Sequence, residues 1–185
     1  MGRGGTMTME EVVNTNYFGP RRVNNYFGKL LKSPGGRIVN IASASGPNFV
    51  SSMSHGDAMK EKLTKPWTIT GGITELDSIA QNLKGDSYGA SKALVNAFTG
   101  LHAKTSSNLI INSCSPGWIA TDMTQGMGAS NPPSKGAVVP CWLMMDEEVA
   151  KQPTGRYYGS DCVRSPLHYY RGPGEDPYIN DEDLV

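Results

Sequence analysis

The chain has 185 residues, enough for one domain or slightly more at about 150 residues per domain. Its 17 basic and 17 acidic side chains cancel to a formal net charge of zero, which argues against a protein that binds nucleic acid through a basic surface. Hydrophobic residues make up 38%, and the 22 glycines bring the apolar share to about half, which is the composition of a globular protein rather than a disordered one.

The amino-terminal half is predicted to contain two helices and a strand. Apolar residues at near-helical spacing predict a helix from about 9 to 31, with a kink or break at Pro20. The β-branched run 37–42 predicts a short buried strand, and the small, polar residues 43–54 predict a loop. A second helix is expected over 73–83.

The carboxyl-terminal half alternates helices and strands. Apolar residues on one helical face predict a helix over 87–104, and strands are expected at 108–112 and 155–158, with a helix over 135–145 between them. Strand–helix–strand–helix–strand is the order of a parallel α/β sheet, so we predict an α/β fold. We expect residues 171–185 to form an acidic, irregular tail.

The sequence indicates neither a metal site nor a membrane segment. Cys114, Cys141 and Cys162 are widely spaced and form no CxxC pair, and the three histidines are isolated. The longest nearly apolar stretch, 136–145, contains Pro140 and is too short to span a bilayer. Since no apolar signal segment follows the amino terminus, we expect a cytoplasmic protein.

Tyr88 and Lys92 form the first candidate catalytic pair. They are four residues apart in a predicted helix, so their side chains share one face. A phenol titrates near pH 10, but a neighbouring ammonium favours the phenolate, which can then exchange a proton with a substrate oxygen. The intervening Gly89, Ala90 and Ser91 are small and would let another surface approach this helix closely. By spacing alone, the pair also fits an ordinary amphipathic helix.

Polar residues at two strand ends add to this pair. Ser43 ends the first predicted strand, and the run 115–117 ends the next, at the edge where parallel α/β sheets bind ligands. Asn16 lies inside a predicted helix, where asparagine has low propensity and needs a reason. Ser43 taken alone could be an ordinary loop serine, and Asn16 could be one of several asparagines on a polar helix face.

These residues belong to stretches that resemble the short-chain dehydrogenase/reductase family, most of all its carbonyl reductases. The matching stretches, in family order, are Asn16-Tyr-Phe-Gly19, Gly36-Arg-Ile-Val-Asn-Ile-Ala-Ser43, Tyr88-Gly-Ala-Ser-Lys92 and Cys114-Ser-Pro-Gly-Trp-Ile-Ala-Thr-Asp-Met123. The resemblance covers roughly residues 10 to 160. It implies a partial Rossmann-like, doubly wound parallel sheet, the carboxyl-terminal two-thirds of that fold.

The resemblance implies an NAD(P)H-dependent carbonyl reductase or alcohol dehydrogenase with a small-molecule carbonyl substrate. Tyr88 would protonate the carbonyl oxygen, Lys92 would favour the ionised form of Tyr88 and hydrogen-bond the nicotinamide ribose, and Ser43 would hold and polarise the carbonyl. Asn16 would complete a proton relay through water near Lys92. Hydride would come from NADPH or NADH. Besides Tyr88 and Lys92, the residues implied to contact the cofactor are Pro116, Gly117, Ile119 and Thr121.

The sequence departs from the family before Asn16. Neither the Gly-rich TGxxxGxG turn nor the NAG motif is present, so we expect only the nicotinamide half of the cofactor site and interpret the chain as truncated. Gly35-Gly36 is interpreted as a turn and not as a phosphate loop. The strand that normally pairs with 37–42 is also missing, which would leave an apolar strand as an exposed edge through which chains could associate.

An insert over about 47–87 separates Ser43 from Tyr88 by more than in simpler family members. It would lie beside the active site and over the helix face that family members often use to dimerise, so we predict a monomer.

Two other functions stay open. The chain could be a catalytically inactive fragment or pseudoenzyme that acts as an interaction module. It could also be a sugar-nucleotide epimerase or dehydratase with the same Tyr-Lys pair, although few residues follow Thr121 for a substrate domain. The sequence identifies neither the substrate nor the choice between NAD and NADP. Trp118, Met123, Met127 and Trp142 could line an apolar pocket or belong to the core.

Overall fold

The structure is a computed structural model and describes residues 7–179. Its α-helices are α1 (Met9–Val13), α2 (Gly19–Phe27), α3 (Ser45–Ser52), α4 (Ala58–Thr64), α5 (Gly72–Asn82), α6 (Ser87–Thr105), α7 (Pro133–Gly136), α8 (Val138–Met145) and α9 (Glu147–Ala150). Its strands are β1 (Gly36–Ile41), β2 (Leu109–Cys114) and β3 (Tyr157–Tyr158). A π-helical turn spans Asn14–Phe18, and 3₁₀ turns span Gly28–Leu30, Pro66–Thr68 and Asp122–Thr124.

The three strands form one parallel sheet in the order β1–β2–β3. Gly36 pairs with Leu109 and Ile41 with Cys114, so β1 and β2 are in register over their full length. The connection from β1 to β2 runs through α3, α4, α5 and α6, and the last of these helices packs against both strands. The predicted α/β class with a parallel sheet is therefore confirmed.

Helices cover both faces of the sheet. Successive side chains of each strand point to opposite faces, so both faces contribute to packing. Asn40 and Ser113 face α6, where they hydrogen-bond Thr99 and Asn96. Their neighbours Val39 and Cys114 face the other way and pack in a cluster with residues of α8. The larger core lies on the far side of α6, between this helix and α1, α3, α4 and α5; its bulkiest members are Tyr17, Phe49, Leu63, Leu76, Leu94 and Phe98.

The predicted break at Pro20 is present as the π-helical turn between α1 and α2. The N–H of Gly19 donates to the carbonyl of Asn14, five residues back instead of four. Proline has no N–H and its ring clashes with the preceding turn, so a regular α-helix cannot continue through it. The wider turn accommodates Pro20 and lets α2 continue toward β1.

The prediction of a loop over 43–54 is wrong, because residues Ser45–Ser52 form α3. This helix is stabilised by close packing on α6 and not by its own propensity. A Cβ atom added at Gly46 would lie 3.0 Å from the backbone nitrogen of Ala93, and one at Gly89 would lie 2.9 Å from the Cβ of Phe49. The small residues between Tyr88 and Lys92 thus allow the close approach that the sequence predicted.

The outer edge of β1 has no strand partner within residues 7–179, and Ile41 at the end of this strand is 45% exposed. The predicted carboxyl-terminal tail has no helix or strand over residues 171–179, and residues 180–185 lie outside the described residues. Its first residue, Arg171, is only 4% exposed and is therefore not solvated as a free tail would be.

Candidate functional site

A cavity of about 580 Å³ opens at the carboxyl ends of β1 and β2. This volume lies in the range of about 300–1,000 Å³ that small-molecule sites occupy. The site residues predicted from sequence that line it are Ser43, Tyr88, Lys92, Pro116, Gly117, Ile119 and Thr121. Seven residues from three separate regions of the sequence therefore meet at the edge of the sheet where parallel α/β folds bind ligands.

Tyr88 and Lys92 lie on the first turns of α6. Asp86 caps this helix, because its carboxylate accepts a hydrogen bond of 3.2 Å from the N–H of Tyr88. The Nζ of Lys92 lies 5.6 Å from the centre of the Tyr88 ring and donates to the carbonyl of Ile41 at 2.9 Å. The end of β1 thus fixes the Lys92 ammonium beside the Tyr88 phenol.

Burial sets the electrostatics of Lys92. It lowers the pKa of the ammonium below its ordinary value, and the nearby Cys114 opposes this shift. A partly desolvated ammonium interacts more strongly with a neighbouring anion than one in bulk water does. The position of Lys92 therefore suits the stabilisation of a negative charge that develops in the cavity.

Ser43 lies where β1 turns into α3. Its hydroxyl accepts a hydrogen bond of 3.2 Å from the N–H of Ser45, and the hydroxyl of Ser115 accepts one of 3.3 Å from the N–H of Ala44. The Ser115 contact joins the turn after β1 to the end of β2. Ser43 is thereby held on the cavity wall that also carries Tyr88 and Lys92.

Asn16 lies outside the cavity lining formed by the described residues. Its side-chain amide donates to the hydroxyl of Ser91 at 3.1 Å, and that hydroxyl donates to the carbonyl of Tyr88 at 2.8 Å. Asn16 is therefore linked to the backbone that carries Tyr88, and not directly to Lys92. The relay through water toward Lys92 stays a prediction.

Two tyrosines in the cavity lining were missed by the sequence analysis. Tyr157 is buried, its side chain hydrogen-bonds that of Ser115, and burial raises the pKa of its phenol. Its place at the end of a predicted strand was a usable signal, since strand ends at this edge of the sheet meet ligands. Tyr170 lies in an irregular segment whose sequence gave no periodic signal.

The candidate pocket residues divide between cavity and core. Trp118, Met123 and Met127 line the cavity. Trp142 instead packs edge-on against Tyr158, with ring centres 5.3 Å apart, in the cluster on the other face of the sheet.

The glycine pair 35–36 lies where a turn leads into β1, as predicted. The N–H of Gly35 donates to the carbonyl of Asn108 at 2.9 Å and that of Gly36 to the carbonyl of Lys32 at 2.7 Å. This turn precedes the amino end of β1, opposite the cavity.

Within residues 7–179, no group of three or more His, Cys, Asp or Glu side chains is placed to hold a metal ion. No helix in the same range is long and apolar enough to cross a bilayer. The three cysteines are free thiols.

No family model matches the chain. Among curated proteins, carbonyl reductase [NADPH] 1 of Macaca fascicularis is 30% identical over 166 residues, which cover 80% of this chain and 58% of that protein. The Bos taurus protein of the same name is 30% identical over 174 residues, covering 83% and 60%. This similarity to carbonyl reductases over most of the chain agrees with the four matching stretches found in the sequence. The chain is therefore similar, over most of its own length, to carbonyl reductases of the short-chain dehydrogenase/reductase family.

Solved structures show the same fold. Salutaridine reductase from Papaver somniferum superimposes with a TM-score of 0.66 at 23% identity, over 83% of this chain and 56% of that one. The NADPH-bound carbonyl reductase from chicken fatty liver gives 0.56 at 19% identity, over 90% and 62%. The chain spans about three-fifths of the length of these two proteins and of the curated relatives. The resemblance to carbonyl reductases inferred from the motifs is confirmed.

Proposed function

We propose that this chain carries the reduction site of an NADPH-dependent carbonyl reductase that acts in the cytoplasm on small-molecule carbonyl compounds, without nucleic-acid or membrane partners. The observation that carries the proposal is the meeting of Ser43, Tyr88 and Lys92 in one cavity at the carboxyl edge of the sheet. The two curated relatives described above are named as NADPH carbonyl reductases, which supports the choice of cofactor.

The residues of the cavity fit the nicotinamide end of such a cofactor. Lys92 offers an ammonium with further N–H donors beyond the one given to Ile41, which suits ribose hydroxyls. Pro116 and Ile119 offer apolar surface for a planar ring. Gly117 has a φ of +95°, and a Cβ atom there would lie 3.0 Å from the Cβ of Ser160, so a glycine keeps this wall open. NADPH, when bound, would supply the hydride.

The protein's own residues would position the carbonyl group and provide the proton. The Ser43 hydroxyl would donate a hydrogen bond to the carbonyl oxygen and polarise it. Tyr88 would transfer its phenolic proton to that oxygen as negative charge develops there. The Lys92 ammonium would stabilise the remaining phenolate, and Asn16, through Ser91, would hold the backbone of Tyr88 in place.

The test compares two tyrosine variants. Tyr88→Phe removes the proposed acid, and we expect kcat for NADPH-dependent carbonyl reduction to fall about 10²- to 10⁴-fold. Tyr26→Phe makes the same chemical change at a tyrosine that is 69% exposed on α2, and we expect it to leave kcat unchanged. Activity in Tyr88→Phe equal to that of the unmodified chain would overturn the proposal.

A second candidate function, an interaction module without catalysis, is favoured by the outer edge of β1, which has no strand partner among residues 7–179. The exposed apolar side chains beside this edge are Val23, Tyr26 and Phe27 of α2, Leu30 of the following 3₁₀ turn, and Val138, Met144 and Met145 of α8. Association of two copies through β1 would appear in sedimentation velocity as a dimer that Ile41→Lys abolishes. A monomer at all concentrations, as predicted from the insert that packs on α6, would count against it.

A further inference from the structure

One wall of the cavity is formed by the irregular segment that follows β3. Residues of this segment that line the cavity are Gly159, Ser160, Tyr170, Arg171 and Pro173. Residues 159–176 contain no helix or strand. Backbone hydrogen bonds tie the start of the segment to β3, as from the N–H of Ser165 to the carbonyl of Tyr157 at 2.9 Å, and side chains add further support.

Arg171 and Asp161 supply that support, and we refer to the pair as the Asp161–Arg171 clamp. The guanidinium donates to both carboxylate oxygens of Asp161, at 3.2 and 2.6 Å, with only 2% of the Arg171 side chain exposed. It also donates to the carbonyls of Glu175 at 2.9 Å and Asp176 at 3.0 Å. A buried, bidentate pair of this kind fixes geometry more firmly than an exposed ion pair does.

Asp161 is also bound from the backbone. The N–H of Gly174 donates to its carboxylate at 3.0 Å. Burial opposes ionisation of Asp161, but the hydrogen bonds from Arg171 and Gly174 outweigh burial and hold the pKa of this carboxyl below its ordinary value. The Asp161 carboxylate therefore joins the start of the segment to Arg171 and Gly174 near its end, and the segment forms a closed loop beside the cavity.

Tyr170 directly precedes Arg171, so the clamp restrains the backbone that carries Tyr170. Tyr170 and Trp118 both line the cavity, and each is 48% exposed. Half-exposed aromatic rings in a cavity retain apolar area that a ligand can cover, and they favour a planar aromatic partner by stacked or edge-on contacts. The site thus combines the polar groups of Ser43, Tyr88 and Lys92 with aromatic surface from two different loops.

We propose that Tyr170 is a specificity-determining residue that favours carbonyl compounds bearing a planar aromatic ring, and that the Asp161–Arg171 clamp is the positioning device that holds Tyr170 at the cavity. That the ligand is a carbonyl compound rests on the proposed function. The preference for an aromatic ring rests only on the residues that line the cavity.

The test measures binding of two ketones with the same number of carbon atoms. Acetophenone has a planar ring and cyclohexyl methyl ketone a puckered one, and their affinities can be compared by NMR titration of the full chain. We expect Tyr170→Leu to weaken acetophenone binding about three- to tenfold and to leave cyclohexyl methyl ketone unchanged. Tyr170→Phe keeps the ring and should keep the preference. Tyr169→Leu, a change at the neighbouring exposed tyrosine, should alter neither affinity.

The clamp is tested by a double-mutant cycle. Asp161→Asn and Arg171→Met should each reduce the preference for acetophenone, and neither should reduce it further in a Tyr170→Leu background. A merely structural role would instead weaken both ketones equally in every background. Should Arg171→Met fail to fold, Asp161→Asn, which keeps the shape of the side chain, decides the question by the same comparison.

The outcomes for ligand preference and for catalysis are separate. A preference for acetophenone that depends on Tyr170, without NADPH consumption, would support the inference and contradict the proposed function. NADPH-dependent reduction of both ketones with no preference, or a preference unaffected by Tyr170→Leu, would overturn the inference and leave the proposed function standing.

Discussion

Replacing Gly46 by alanine tests the close packing that brings α3 against α6. The added Cβ atom would lie 3.0 Å from the backbone nitrogen of Ala93 and from the carbonyl carbon of Lys92. These are backbone atoms inside a helix, so they cannot rotate away as a flexible side chain could, and α3 must move outward. Overpacking of this kind costs about 1–3 kcal/mol, which the lower entropy of the unfolded alanine chain offsets by about 0.4–1 kcal/mol.

We therefore expect Gly46→Ala to lower the free energy of unfolding by about 1–2 kcal/mol. For a chain of this size, that loss lowers the melting temperature by about 2–8 °C, measurable by circular dichroism. Because Ser43 directly precedes α3 and the clash falls on Lys92, the outward movement also separates these two side chains. We expect the variant to lose carbonyl reduction at temperatures where it is still folded.

A matched control is provided by Gly28→Ala. Gly28 has a helical φ of −55°, and an added Cβ atom would meet only Ile38, at an ordinary contact distance of 3.7 Å. We expect this variant to melt at or slightly above the temperature of the unmodified chain. Equal melting temperatures for Gly46→Ala and the unmodified chain, or equal losses at both glycines, would refute the packing argument.

Three further predictions concern burial elsewhere in the fold. Burial lowers the pKa of His102, so the unfolded chain binds more protons than the folded chain as the pH falls below 6.5, and the free energy of unfolding decreases. Urea titrations above and below this pH should show the decrease, and His102→Phe should abolish it. Iodoacetamide on the native chain should label the exposed Cys141 and spare Cys114, whose pKa burial raises to about 12; mass spectrometry showing native Cys114 labelled would contradict this. Asn40→Leu removes hydrogen bonds to Asn24 and Thr99 inside the core and should destabilise the fold by about 1–3 kcal/mol, and an unchanged urea midpoint would exclude that role.

The elements that could be predicted from the sequence are those whose own pattern is strong. The β-branched run of β1 and the apolar face of α6 carry their period in the sequence, and the structure confirms both within a residue or two. The helices α3 and α4 were not predicted. α3 contains Gly46 and Pro47, which have low helix propensity, and it forms because its small residues fit against α6.

The same distinction applies to the candidate site. Ser43, Tyr88 and Lys92 could be placed together because the topology of a parallel sheet brings strand ends and the following helix to one edge. Tyr170 and Arg171 could not, since their segment has no period and is held by contacts between irregular residues, among them the ion pair of Arg171 with Asp161. A contact between residues without regular structure leaves no pattern in the chain.

The most direct test of the proposed carbonyl reduction follows the hydride itself. With NADPH deuterated at both C4 positions and acetophenone as substrate, we predict an alcohol that carries a single deuterium on the carbinol carbon, detected by mass spectrometry. Tyr88→Phe should form about 10²- to 10⁴-fold less of this product in the same time. An alcohol without deuterium, or no more labelled alcohol than Tyr88→Phe forms, would contradict the assignment of this cavity as a carbonyl-reducing site.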